Sequence, residues 1–401
     1  MMLQAGTARA DITPAPGSLM ACFPTGKERT PRRAEGAHDP LQARVLCLSD
    51  GRETVALCSM DVALLMDVDV ERIRRAVGER VPALGGPRLT LAASHTHSAP
   101  ETTYLFGNTP EDPYIQEMVR RVSEAVIRAH AAMRPARVSF GRADAPLSHN
   151  RRGRGRDGKP AMIFDYDPRS APGPADSDVP ALRIDDDAGN VLAVLYNFAA
   201  HALTIGPGTL QYTADFPGVA GARIEQRFPG AVALFLNGGV GNVHPRKSMR
   251  KDFAVTEEIG AALAQAVIPA VESARPVDGA PLRFLTETIS FPNRMDPSRS
   301  VPVELSCLEL GGVVLGIMPG EPFVEFQLRF KQALAPRPAF FIGCANASVG
   351  YIPTREAFDE GGYGADAYAG DKPGRSRTSL PPGAGETLLD KLLLLASLIR
   401  E

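Results

Sequence analysis

Tryptophan is absent from this 401-residue chain, and aromatic residues make up only 6% of it. That counts against a sugar platform of stacked indoles, although Tyr and Phe can stack in their place. Cysteine is scarce and poorly spaced for cross-linking. Cys22, Cys47, Cys58, Cys307 and Cys344 are odd in number and include no CxxC pair. Four of them, Cys47, Cys58, Cys307 and Cys344, lie in or beside apolar, strand-like runs. Buried reduced thiols are expected, not a disulfide frame or a cysteine zinc cluster. Neither sign of charge dominates: 44 basic residues against 46 acidic ones leave a net of −2. Such a balance exerts no long-range pull on nucleic acid or anionic membrane. No apolar run is expected to reach the roughly 18–20 residues that span a bilayer. The opening MMLQAGTARADITP lacks a basic-then-apolar secretory pattern. A cytoplasmic protein without stable membrane insertion is therefore expected.

What is present suffices for a large core, since 44% of residues are hydrophobic. The length permits two or three domains at roughly 100–200 residues each. No stretch reads as a clean linker and no repeat is evident, so a single domain over 1–401 is expected. Strand-like runs lie at 43–48, 54–59, 88–93, 190–199, 231–236, 305–318 (with a Gly-Gly turn at 311–312) and 339–344. Amphipathic segments at 67–81, 113–133, 216–228, 253–274, 322–334 and 385–400 predict helices. In the second of these, Ile115, Met118, Val119, Val122, Val126 and Ile127 fall on one helical face. Alternating helices and near-continuously apolar strands predict an α/β class with covered sheets. The Gly/Pro/Arg-rich stretches 151–159 and 361–383 read as long loops.

The strongest chemical signal is Ser94-His95-Thr96-His97-Ser98, directly after the run LTLAA. On an extended segment the side-chain period is two, so His95 and His97 are expected to point the same way. Two neutral imidazoles on one face form half of a zinc site. Two histidines bonded within a loop fit the same pattern. His201 follows another apolar run, VLAVLYNFAA, and ligands of α/β sheets gather beyond the carboxyl ends of strands. Glu321, in Pro319-Gly320-Glu321 after VVLGIM, reads either as a carboxylate ligand or as an acid at a helix N-terminus. Tyr351 follows FFIGCANASVG and by itself decides nothing. Asp215 is a possible general base or a partner that orients His201; helix capping before Phe216-Pro217 suits it somewhat better. Arg151 begins an arginine-rich loop suited to a carboxylate or phosphate of a substrate. The glycines of Asn237-Gly238-Gly239 and Gly241 allow a close backbone approach, without the lysine of a phosphate loop. His38 is a possible partner of a metal ligand, His130 an ordinary helix residue, and Asp11 a turn residue.

Together these pieces resemble the neutral/alkaline, non-lysosomal ceramidase family. The resemblance runs through ARADITP at 8–14, SHTHSAP at 94–100, Asn150-Arg151, NFAAHALTIG at 197–206, NGGVGNVHP at 237–245, PGEP at 319–322 and GYIPTREAF at 350–358. It implies two mixed β-sheets packed together between helical layers, an αββα arrangement. It implies one zinc ion held by His95, His201, Glu321 and Tyr351. His97 is then a catalytic residue or a neighbour of the metal-bound water, and Arg151 faces the polar head of the substrate. The implied reaction is amide hydrolysis.

Two departures stand out. In the family a serine precedes Pro-Asn after a Gly-Asp-Val-like stretch, whereas Gly241-Asn242-Val243-His244-Pro245 puts His244 in its place. A histidine there can shuttle a proton, donate to an oxyanion or bind a second metal. The family's C-terminal immunoglobulin-like domain and secretion signal also have no counterpart, so ceramide itself is not the expected substrate. The expectation is an amidase-type or esterase-type hydrolase of a small molecule, with no nucleic-acid partner and with a homo-oligomer possible. A metal-dependent glycoside hydrolase, lyase or isomerase using His244 as acid or base is the alternative, and a non-catalytic binding protein is a further one.

Overall fold

Strands that read as continuous apolar runs are covered on both faces in the structure, a computed structural model. It describes residues 2–24, 30–155, 157–170, 172–365 and 378–399. The first sheet holds β1 (Gln4–Asp11), β2 (Gln42–Ser49), β3 (Thr54–Met60), β4 (Leu89–Ala93), β5 (Arg134–Asp144), β6 (Asp178–Asp186), β7 (Val191–Phe198), β8 (Val232–Asn237) and β9 (Arg275–Val277). Its order is β8-β7-β6-β5-β1-β2-β3-β4, with β9 paired to β5. The second holds β10 (Leu282–Pro292), β11 (Ser300–Leu310), β12 (Val313–Ile317) and β13 (Ala339–Ile342), in that order.

The sheets pack through alternate residues of each strand. Leu46, Leu57, Leu195 and Leu234 of the first share one core with Leu308, Leu315, Phe340 and Ile342 of the second. Intervening residues of the same strands meet helices. Val45, Cys47 and Cys58 pack on α1 (Asp67–Arg80) and α2 (Pro113–Ala131). Val194, Tyr196 and Phe235 pack on α3 (Asp215–Arg227) and α4 (Ala254–Glu272). Behind the second sheet, Cys307, Val314 and Phe341 meet α5 (Val324–Leu334) and, beyond the short α6 (Arg355–Glu360), α7 (Ala384–Leu398). The result is the αββα sandwich with mixed sheets.

All six expected helices are present, and the Gly-Gly turn separates β11 from β12. Within the two sheets, the strands β1, β5, β6, β9 and β10 were not expected. They carry many polar residues; β10, for one, alternates between half-buried and exposed positions over much of its length. Segment 151–159 is not a plain loop, because Arg152–Arg154 pairs with Pro160–Met162. The expected loop 361–383 falls partly outside the described residues. Helix α4 departs from the expectation about apolar runs. It has 19 residues and a mean hydropathy of 1.3 over its most apolar window, enough by length and composition to cross a membrane. Its Ile259, Leu263 and Val267 are buried in the core shared with Val194 and Phe235.

Within the two sheets, three strand pairs are parallel among the described residues: β3 with β4, β7 with β8, and β12 with β13. Their carboxyl ends converge, and two buried asparagines tie them together. Asn197 Nδ2 donates to the carbonyls of Leu236 (2.7 Å) and Phe341 (3.0 Å), and its Oδ1 accepts from Phe341 N at 3.1 Å. Asn237 Nδ2 donates to Ser94 O at 3.0 Å, while Gly343 N donates to Asn237 O at 2.9 Å. Each bond joins strand ends that are far apart in sequence. Asn197→Ala leaves three buried backbone groups without that partner. It should lower unfolding free energy by about 2–4 kcal/mol in denaturant titration; a loss under about 1 kcal/mol would mean that the asparagine does not hold the sheets together.

Candidate metal centre

Residues just beyond β4 carry the first two imidazoles. The chain does not stay extended there: His95 has φ 66°, a conformation uncommon outside glycine and asparagine. The alternation argument for His95 and His97 therefore fails, yet the turn still brings the rings together. Backbone bonds hold it in place: Ser94 N to Met60 O (2.8 Å), His95 N to Val62 O (3.0 Å) and His97 N to Ala202 O (3.2 Å). The last one sets His97 beside the residue that follows His201. His201 itself lies three residues beyond β7, and Glu321 follows β12.

Their nitrogen and oxygen atoms converge. Glu321 Oε2 lies 3.3 Å from both His95 Nε2 and His201 Nε2. His97 Nε2 is 3.4 Å from His95 Nε2. The three imidazoles have donor atoms all within 4.8 Å of one another. Four donors at about 2.0–2.1 Å from one tetrahedral ion lie about 3.3–3.4 Å apart, so these spacings suit a zinc-sized ion.

Tautomers sharpen the point. His95 Nδ1 lies 2.6 Å from Ala63 O, and His201 Nδ1 lies 2.9 and 3.0 Å from Val240 O and Val243 O. A carbonyl only accepts, so each Nδ1 carries a hydrogen. In spite of burial, Cys344 and Glu321 hold His95 well above its ordinary value, which favours a second hydrogen on its Nε2 towards Glu321; neutral His201 presents a lone pair there. His201 Nε2 and Glu321 Oε2 are buried without a hydrogen-bond partner. Buried lone pairs that face each other need a positive charge between them. Burial, with Arg151 nearby, drops the His201 imidazole to about 3. Burial and the neighbouring His95 and His201 hold His97 well below its ordinary value. Burial would raise the Glu321 carboxyl, but His95 and His201 hold it well below the usual range. The residues present thus fit a divalent cation.

A glycine-rich loop after β8 forms the next wall. Arg151, almost fully buried, donates from Nη2 to Gly241 O (2.5 Å) and from Nη1 to His244 Nε2 (3.0 Å). Guanidinium cannot accept, so His244 carries its hydrogen on Nδ1, which is buried and unpartnered. Burial and the Arg151 charge keep His244 well below the ordinary histidine value. The Arg151 guanidinium stands 4.7 Å from the Tyr363 ring and 5.4 Å from the Tyr351 ring. Tyr351 is the registered partner of Glu321 in a short parallel pair, and registered partners share a face.

Some expected residues sit elsewhere. The Asp215 carboxylate does not bond His201. It accepts from Thr204 Oγ1 (2.6 Å), Thr204 N, Ile205 N and Phe216 N (2.7 Å), which holds the segment after His201 in place. By accepting from Phe216 N it also serves the N-terminus of α3, as the capping reading expects, although the helix is counted from Asp215 itself. His38 stacks on Phe253 at 3.7 Å between ring centroids. Asp11 accepts from Thr13 N in a local turn. Three aromatics were not anticipated: Phe23, 5.4 Å from the His97 ring; Phe164, 5.9 Å from His244; and Tyr363. Phe23 and Phe164 lie far from any motif, so only the folded chain reveals them.

An αββα sandwich with three imidazoles and a carboxylate at its converging strand ends defines the class: a mixed α/β protein with a cluster that could hold a metal ion. No family model matches the chain. The neutral ceramidase of Mycobacterium tuberculosis is 26% identical over 245 residues, which are 57% of this chain and only 37% of that relative. The crystal structure of neutral ceramidase from Pseudomonas aeruginosa aligns with 100% of this chain and 75% of its own, with TM-score 0.81 and 16% identity. A ceramidase complexed with C2 covers the same shares at TM-score 0.80 and 16% identity. The fold is that of a neutral ceramidase-like catalytic domain.

The setting of Asp215 leads to a pH test. Burial pushes this carboxyl up to about 6 in spite of its hydrogen bonds. The protonated form is thus favoured in the folded state, and the stability it contributes is lost as pH rises from about 4 through about 6. Asp215→Asn has no such titration. It should be less stable at every pH, and the gap to wild type in melting temperature should narrow from pH 4 to pH 6. A gap that widens over that range would contradict the assignment.

Proposed function

We propose that this chain is a zinc-dependent hydrolase that cleaves an amide or ester bond in a small or medium polar substrate. One observation carries the reading: Glu321 Oε2 stands 3.3 Å from two imidazole nitrogens, with no proton to share with His201. His95, His201, Glu321 and Tyr351 would hold the ion. A divalent ion there supplies Lewis-acid polarisation of an acyl carbonyl and acidifies water at neutral pH. The likeness of fold to a neutral ceramidase over the whole chain supports this reading, and so does the curated relative, matched over 57% of this chain and 37% of its own length.

The chain's own groups divide the remaining work. His97 stays neutral, and its Nε2, 3.4 Å from His95 Nε2, orients the attacking water and takes its proton. His244 offers Nδ1–H to the oxygen that gains charge, or to the leaving group, because Arg151 occupies its Nε2. Arg151 keeps a buried positive charge beside Tyr351 and Tyr363, where it meets the polar part of the substrate. Near-complete burial of His95, His201, His244 and Glu321 excludes bulk water from these groups. Ceramide itself is not the substrate proposed, because His244 replaces the family's serine.

Metal analysis of the purified protein, followed by a screen of amides, esters, lactones and glycosides, tests the proposal. About one equivalent of zinc and hydrolysis of an amide or ester are expected, with activity lost to a chelator and restored by zinc. His95→Ala should lose the metal. His97→Ala should keep it and lose about 100- to 10,000-fold in kcat. Protein that carries no stoichiometric metal, with His95→Ala as active as wild type, contradicts the proposal. Solvent-deuterium exchange into a sugar derivative without hydrolysis would favour the lyase or isomerase alternative.

A further inference from the structure

The segment Gly238–Val243 touches His201, Arg151 and the backbone at Glu321, yet it is rich in glycine and has little stiffness of its own. Val240 O and Val243 O accept from His201 Nδ1. Gly241 O accepts from Arg151 Nη2, and Asn242 O from Arg151 N at 2.7 Å. Gly241 N donates to Pro322 O at 2.9 Å, one residue beyond Glu321. The approach there is so close that a Cβ on Gly241 would lie 2.3 Å from Glu321 O. Something must fix this loop, since its carbonyls set the tautomer of one imidazole and the position of the arginine.

Helix α5 supplies the anchor. Its first residue, Val324, donates from N to Asn242 Oδ1 at 2.9 Å. One turn on, the fully buried Gln327 accepts from Gly239 N at 2.6 Å through Oε1. Its Nε2 donates to Asp176 Oδ2, also at 2.6 Å. Asp176 is in turn paired with Lys331 Nζ at 2.7 Å, and Lys331 reaches Asp178 at 3.0 Å. The amide can point only one way, because Asp176 needs a donor and Gly239 needs an acceptor. Phe326 and Phe330 nearby on α5 pack in an apolar core. A polar side chain in such a setting is costly unless bonded, and an apolar one would fill the space without that cost.

We propose that Gln327 is a positioning residue: through Gly239 it holds the loop carbonyls that fix His201 and Arg151, without touching substrate. This deepens the hydrolase reading and rests on it for the catalytic consequence. The geometric consequence, order at His201 Nδ1–H, stands without it.

The test uses the full-length protein and three readouts: zinc affinity by chelator competition, kcat against KM, and the His201 Nδ1–H signal in NMR of histidine-labelled protein. Gln327→Leu should weaken zinc binding at least about tenfold, as loss of a ligand's supporting partners does. It should also broaden or shift the His201 signal and lower kcat more than it raises KM. Lys331→Met should lower the melting temperature while leaving zinc affinity and the His201 signal within about twofold of wild type. If Gln327→Leu does not fold, the pair Asp176→Asn with Gln327→Glu decides. It reverses donor and acceptor across one bond, so the bond to Gly239 and the His201 signal should both survive, whereas Gln327→Glu alone should disturb the signal. A wild-type His201 signal and zinc affinity in Gln327→Leu overturns the proposal, and so does equal weakening by Lys331→Met. If the wild-type protein binds no zinc and hydrolyses nothing, the hydrolase reading fails, and the His201 signal still decides the role of Gln327.

Discussion

Electron pairs that face one another inside a closed interior are the constraint on which this structure depends. Glu321 and His201 meet at 3.3 Å with no hydrogen to share, because the hydrogen of His201 is committed to Val240 and Val243. Both residues are almost fully buried, away from bulk solvent. Only a positive charge at their meeting point makes the arrangement favourable. The surrounding backbone carbonyls follow from the same need: they fix each ring so that Nε2 points inward.

The αββα layout makes such a meeting possible. Parallel strand pairs bring loops from the same end of each sheet together, and the first sheet carries two of these pairs and the second one. His95 and His201 come from the first sheet, whereas Glu321 comes from the second. The centre therefore spans the interface between sheets and persists only while they keep their register. The Asn197 side chain secures that register with bonds to Phe341 that cross from one sheet to the other, and the Asn237 carbonyl accepts across the same seam from Gly343 N. Polar groups in an apolar interface contribute specificity here, since a small slide of one sheet leaves each of them unpaired.

The legible parts of the sequence were those in which one residue's neighbours declare its role. His95 and His201 stood directly beyond apolar runs, and the structure brings them together with Glu321. His97 meets His95 by a route other than the extended chain that its spacing predicts, because His95 adopts φ 66°. A positive φ at a histidine is set by tertiary bonds to Met60 and Val62, which no local pattern reveals. The bonds of Asp215 to the segment after His201 were not legible for a related reason. Its partners, Thr204 and Ile205, lie ten or so positions away along a loop whose path depends on the whole fold. Gln327 left only a faint trace, a polar residue on the buried face of an amphipathic helix. Five strands of the two sheets escaped notice because they are short or because polar and half-exposed residues hide the period of two.

Zinc-edge X-ray absorption on protein carrying one equivalent of zinc tests the central claim most directly. The account predicts nitrogen and oxygen neighbours at about 2.0–2.1 Å, with the outer-shell pattern of at least two imidazoles and no sulfur at about 2.3 Å. It also predicts that this pattern is lost in His201→Ala. A sulfur shell would bring a cysteine such as the buried Cys344 into the centre. A spectrum without imidazole, or one unchanged in His201→Ala, would show that the ion binds elsewhere and contradict the account.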